Sequence, residues 1–154
     1  MLAIGSTMIN LPTSPLKIDL FRFHKSLGLL ILLMVLIRLA WRLGQPVPHL
    51  PETIPIREKL WVRAGQYLLY ALLILIPISG WGIHSASDVT ARWFGLFVIP
   101  PITHPSIYLE DYAKTAHLVL VIILALIVSV HIATALRQHY IHKNNLLNNM
   151  LGRK

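Results

Sequence analysis

Three histidines stand where hydrocarbon is expected. His117 and His131 interrupt the stretch KTAHLVLVIILALIVSVHIATAL (114–136), otherwise almost wholly Leu, Ile, Val and Ala, and His24 heads a second apolar run, FHKSLGLLILLMVLIRL. An ionisable side chain in the bilayer interior costs several kcal/mol unless it is paired, hydrated or bound to a metal, so these positions point to chemistry. A neutral imidazole offers a nitrogen lone pair to a metal, and it exchanges protons near neutral pH.

Spacing narrows that chemistry. The fourteen residues from His117 to His131 turn an α-helix through about 1400°, only ~40° short of four full turns, and advance it by ~21 Å. The two imidazoles therefore share one face at different depths. His24 opens its run on the same membrane side as His117, so the first and third spans, which run in the same direction, can bring both rings to one depth, facing each other. Two such imidazoles suit the axial positions of a b-type haem, which needs no cysteine and whose porphyrin Leu, Ile and Val would cover. Gly28, one turn beyond His24, leaves room where the macrocycle would lie. Two other readings stay open. The histidines are also explained as buried groups bonded to carbonyls, Ser129 or Thr134, and zinc is a further option, although it wants about four ligands and this level lacks carboxylates or extra histidines. His49, His84 and His104 fall in or near loops beside prolines or polar residues and read as surface histidines.

The elements that must position these residues follow from composition. The chain has 154 residues, 55% of them hydrophobic, and a mean hydropathy of +0.63, a balance far above that of soluble domains. Apolar runs at about 23–39, 66–83 and 117–136 each approach the ~20 residues that a bilayer core about 30 Å thick requires. We expect an all-α membrane protein, a single domain over 1–154, with transmembrane helices at 21–43, 60–83 and 112–138 and a tail at 139–154. Pro77 is expected to kink the second helix, as membrane bundles tolerate. The absence of cysteine excludes disulfides, thiolate metal sites, iron–sulfur clusters and covalent c-type haem attachment.

The net charge of +8 is not laid out as the single basic stripe of a nucleic-acid binder. It gathers at the membrane edges. Arg38, Arg42, Arg57, Lys59 and Arg63 connect the first span to the second against Glu52 and Glu58, and Arg137, Lys143, Arg153 and Lys154 follow the third with no acid. These segments are expected in the cytoplasm, and the connection between the second and third spans, with Asp88, Glu110 and Asp111, outside. Trp41, Trp61, Trp81, Trp93 and Tyr112 fall near the span ends, as in an interfacial belt. Residues 1–10, MLAIGSTMIN, are too short to span and carry no signal-peptide features. They read as the last turns of a further helix preceding residue 1. Gln66 is what the second span offers near the depth of His131, and His139 and His142 lie too far down the tail, so the preceding helix is the expected partner for His131.

The segments FHKSLGLLILLMVLIRLAWRL, YLLYALLILIPISGWGI and AHLVLVIILALIVSVHIATALRQHYIHKNNLLNNM together resemble the prokaryotic cytochrome b561 family, related to the membrane cytochrome b subunits of hydrogenases and formate dehydrogenases. The resemblance covers nearly the whole chain. It implies a four-helix bundle holding two b haems, one near each membrane face of the bacterial inner membrane, with a cytoplasmic carboxyl terminus. Carried over, His24 and His117 would ligate the outer haem iron and His131 the inner one, whose other ligand comes in the family from the first helix. Where some members carry a histidine at the start of the third family helix, this chain has Gln66.

Family members pass electrons between a quinone and a donor or acceptor in respiratory chains, and one type oxidises superoxide and reduces ubiquinone. Lys17, Arg22, Lys25 and Lys114 gather near His24 and His117 and are candidates for attracting such an anion, or for simple headgroup contact. Arg137, Gln138 and His139 are candidates for quinone contact on position alone. Two competing readings are a relay or anchor subunit of a multisubunit dehydrogenase, docked through the loop between the second and third spans, and a haem-free remnant or small transporter whose histidines move protons or metal ions.

Overall fold

The computed structural model describes residues 1–45 and 56–140. Its elements are α1 (Leu2–Asn10), α2 (Pro15–Leu43), α3 (Ile56–Ala86), a short hairpin of β1 (Arg92–Trp93) and β2 (Phe97–Val98), and α4 (Ile107–Tyr140). The helices α2, α3 and α4 are each long and apolar enough to cross a membrane.

All three reach beyond the apolar stretches, and capping groups set where α2 and α4 begin. The Ser14 hydroxyl accepts from the Lys17 amide at 3.3 Å and Pro15 occupies the first turn, an N-terminal pairing that satisfies one orphan donor and supplies a ready-made helical φ. This starts α2 six residues ahead of the expected 21. Ser106 does the same for α4, its hydroxyl accepting from the Leu109 amide at 3.4 Å, and Glu110 in the first turn suits the positive helix end. The helix α3 runs continuously through Pro77; the proline has no amide hydrogen to give the Leu73 carbonyl one turn back.

Packing is sparse, as expected where lipid covers most of the surface. Met1–Val121 form one compact unit. Within it α2 packs chiefly against α3, α1 lies along α2, and the hairpin docks on α2. The buried apolar side chains there are few, Leu32, Val35 and Leu72 among them, while Leu33, Met34, Leu36, Ile37, Leu68 and Leu75 are exposed. In water such a surface would aggregate; in a bilayer it is the solvated face. The second unit begins at Ile122, and its described part is the remainder of α4.

The connection from α3 to α4 is an ordered structure rather than an open loop. Trp81 donates from its indole to the Pro100 carbonyl (2.8 Å), the Ile102 amide donates to Ser85 Oγ (3.0 Å), and the Ser106 amide donates to the Ala86 carbonyl (3.0 Å). These bonds fold 99–106 back over the end of α3. The hairpin turns through Phe94 (φ 47°) and Gly95 (φ 80°), both in the left-handed region that tight hairpin turns of right-twisted strands favour. For Phe94 that conformation is unfavourable. It is held by docking: the Phe94 amide donates to Ser26 Oγ at 3.0 Å, and the Trp93 indole donates to the Ser26 carbonyl at 3.2 Å.

Candidate functional site

The structure brings His24 of α2 and His117 of α4 together. Their ring centroids lie 6.3 Å apart with the planes inclined at 73°. Each ring rests on a glycine of a third or fourth helix. A Cβ built on Gly5 of α1 would stand 3.5 Å from His24 Cε1, and one built on Gly80 of α3 would stand 3.3 Å from His117 Cε1 and 3.5 Å from its Nδ1. All four helices thus contribute to one site.

Hydrogen bonding fixes the tautomer of one ring. His117 Nδ1 lies 3.0 Å from the Ile76 carbonyl oxygen and 3.0 Å from Ser79 Oγ, and the Ser79 hydroxyl donates to that same carbonyl at 2.8 Å. A carbonyl only accepts, so Nδ1 carries the hydrogen and Nε2 keeps its lone pair. A carbonyl behind Nδ1 is the usual device that orients a metal-binding histidine. The His24 ring differs: its Nδ1 is buried and has no hydrogen-bond partner among the described residues. Such a group is costly to bury without compensation, and its Cε1–Nδ1 edge is turned to the α1 backbone at Gly5.

Asp19, Arg22, Lys25, Ser26, Arg92 and Phe94 take part in lining a cavity of about 990 Å³ between the first turns of α2 and the hairpin, whose lining includes neither histidine. The expected cationic cluster is changed in membership. Lys114 is bound by Glu110 (2.7 Å) and Asp111 (3.8 Å), Arg22 pairs with Asp19 (3.4 Å), and Lys17 donates to the Leu11 carbonyl (2.7 Å). Lys25 has no acidic partner among the described residues, and Arg92, which the sequence reading left out, joins it at the cavity.

Other candidates fall as follows. Beyond its own helix, Gly28 meets the terminal methyl of Met1, at 4.0 Å from a built Cβ. His131 is exposed on α4 and lines a shallow recess of about 300 Å³ with Leu126, Ile127 and Val130. The Gln66 amide oxygen accepts from Arg42 at 3.3 Å. His84 is not a surface residue: only 5% of it is exposed, because the returning segment 99–106 covers the end of α3. His104 is exposed. His49, His142 and the tail from 141 lie outside the described residues, as does the side chain of His139. Sequence reading also missed Gly5, Ser79 and Gly80.

A membrane bundle that brings two imidazoles together across its helices suits a membrane cytochrome. The chain belongs to the prokaryotic cytochrome b561 family, whose sequence model matches residues 1–153. It is 35% identical over 131 residues to cytochrome b561 homolog 2 of Escherichia coli (strain K12), a match covering 84% of this chain and 69% of that protein. It is also 30% identical over 132 residues to the probable superoxide oxidase CybB of Yersinia pestis, covering 85% of this chain and 74% of that one. Membership makes the chain a multi-pass membrane cytochrome and implies a b-type haem.

Proposed function

We propose that this chain is a b-type haem cytochrome of the bacterial inner membrane that passes electrons from a small donor at the outer face, superoxide, to the quinone pool. His24 and His117 hold the outer haem iron, His131 contributes one ligand to a second haem, and the carboxyl terminus lies in the cytoplasm, the side to which the basic connections point. Superoxide is named because one relative is a probable superoxide oxidase.

The observation that carries this reading is the histidine pair. Two metal–nitrogen bonds of about 2 Å, added to the half-widths of two imidazole rings, place their centroids roughly 6 Å apart, and the observed separation is 6.3 Å. Rings inclined at 73° can both contain the ligand–metal axis. Gly5 and Gly80 clear the space in which the two imidazoles themselves are seated.

Bound between the rings, haem supplies reversible one-electron chemistry. The chain's own residues do the rest. The Ile76 carbonyl and Ser79 hold the Nδ1–H of His117 and aim its Nε2. Lys25 and Arg92 provide the positive field that draws an anion toward the cavity. Two superoxide anions surrender two electrons and leave as dioxygen, while one quinone takes up those electrons with two protons.

A reduced-minus-oxidised visible spectrum of the purified protein tests the assignment. A b-type band is expected, and His24→Ala and His117→Ala should each remove most of the outer haem's share of it. A featureless wild-type spectrum would overturn the reading in favour of a haem-free function. Superoxide should reduce the wild-type protein without a second subunit; failure with an intact spectrum points to a relay subunit of a larger dehydrogenase.

A further inference from the structure

The hairpin carries a cluster of exposed apolar side chains that the redox site does not use. Leu96 is 72% exposed, Phe97 54%, Val98 50% and Phe94 42%, and no charge interrupts 93–102. A connecting segment in water does not normally present such a run.

Its position along α2 accounts for it. The hairpin is fixed to the flank of that helix, through Ser26, which is 1% exposed, and through the edge-to-face contact of Phe94 with Phe23 at 6.3 Å. Phe23 and Ser26 come eight and eleven residues after the first residue of α2, Pro15, so they lie about 12 to 16 Å along its axis. The hairpin thus stands beside the span and not beyond its end. Its depth is marked by Lys17, Asp19, Arg22 and Lys25 on the same stretch of α2, the charged residues expected among lipid headgroups. Phe23, itself 47% exposed, adds an apolar side chain of α2 beside those of the hairpin.

Local hydrogen bonding permits an apolar surrounding. The Phe94 amide is satisfied by Ser26 Oγ, the Leu96 amide by the Trp93 carbonyl (2.9 Å) and the Ile99 amide by the Ala91 carbonyl (2.9 Å). A two-stranded ribbon still has unpaired outer edges, which excludes it from the hydrocarbon centre and confines it to the boundary of headgroups and acyl chains, about 5–10 Å deep.

We propose that residues 93–98 form an interfacial anchor seated in the lipid leaflet on the side of His24 and His117, with phospholipid acyl chains covering Leu96, Phe97 and Val98. The anchor grips α2 two residues from His24, so the leaflet itself holds the hairpin against the flank of that helix. The inference does not depend on the haem assignment.

The chain contains no cysteine, so a nitroxide on Leu96→Cys of the full-length protein reports this position alone. In vesicles of phosphatidylethanolamine and phosphatidylglycerol, collisions with dissolved oxygen should exceed collisions with a water-soluble nickel chelate severalfold, relative to the same nitroxide free in buffer. The label on Leu33→Cys, midway along α2, gives the hydrocarbon limit, and Val98→Cys serves as a second report should the first variant fold poorly. Chelate access equal to that of free nitroxide would overturn the proposal, since the hairpin would then stand in water as a protein-docking surface. Exclusion of both reagents would overturn it equally, because a second copy of the chain would then cover the tip.

Discussion

The two facing histidines occupy unlike surroundings. His117 is anchored: Ile76 and Ser79 of α3 engage its Nδ1 at 3.0 Å each, and Gly80 of the same turn lies against the Cε1–Nδ1 edge of its ring. His24 rests on α1 at Gly5 with ordinary van der Waals clearance and an unengaged Nδ1. One side of the site is therefore set in place by the fold before any group binds, while the other is shaped only by contact. In a preorganised ligand set, second-layer hydrogen bonds aim the coordinating nitrogen and raise its basicity. The α3–α4 side carries that preparation here.

The sharpest way to break this contrast is to fill the seat of the anchored ring. A side chain at Gly80 starts only 3.3 Å from His117 Cε1, tighter than most real contacts, whereas one at Gly82 starts 3.7 Å from Ala113 Cβ. Gly80→Leu should abolish haem binding at this site, and Gly80→Ala should lower the haem-to-protein ratio severalfold. Gly82→Ala, on the same helix, should leave it within error. Circular dichroism separates a displaced ring from a lost bundle, because helical content should remain that of the wild type in both alanine variants. Equal haem loss in the two would show that α3 merely packs and does not seat the ring.

A smaller effect is expected from the anchor's polar member. Ser79→Ala removes the hydroxyl but leaves the Ile76 carbonyl to accept from Nδ1, so the loss is that of one net hydrogen bond, about 1 kcal/mol. That corresponds to roughly a fivefold fall in haem affinity, read by titrating haem into the apoprotein. A shift of the midpoint potential should accompany it, because the donor environment of the ligand changes; Ser79→Thr, which keeps the hydroxyl, should restore both. A fall as large as that of His117→Ala would mean that the serine, and not the carbonyl, positions the ring.

What could be read from the sequence was whatever repeats along one helix. The runs of Leu, Ile and Val mark the spans, and helical spacing with the direction of the chain puts His24 and His117 on one side of the membrane. What could not be read depends on contacts between helices. The bond from His117 to Ile76 joins residues 41 apart in the chain, and nothing local in ILIPISG shows which carbonyl it uses. Gly5 and Gly80 are small residues among others until the neighbouring rings are placed. His84 looked exposed because it ends an apolar run beside serines, and only the return of 99–106 over Ser85 and Ala86 buries it. The hairpin was hidden for the same reason: WFGLFV reads as loop until Ser26 supplies the acceptor that holds Phe94 at positive φ.

The smallest expected effect tests the less prepared side. A methyl group at Gly5 would meet His24 Cε1 at 3.5 Å and Nδ1 at 4.0 Å, and one at Gly28 would meet only the Met1 methyl at 4.0 Å. Both are ordinary contact distances. In a helix interior, replacing glycine by alanine also removes a penalty of about 1 kcal/mol. Gly5→Ala should therefore retain wild-type haem content and unfold at the same temperature or slightly higher. A serine at position 5 goes further, because its hydroxyl can reach the unengaged Nδ1 of His24 and reproduce on this side what Ser79 provides on the other. Gly5→Ser should then tighten haem retention about as much as Ser79→Ala weakens it. If Gly5→Ala alone displaced the haem, the His24 ring would be as tightly seated as His117, and the asymmetry between the two sides of the site would be gone.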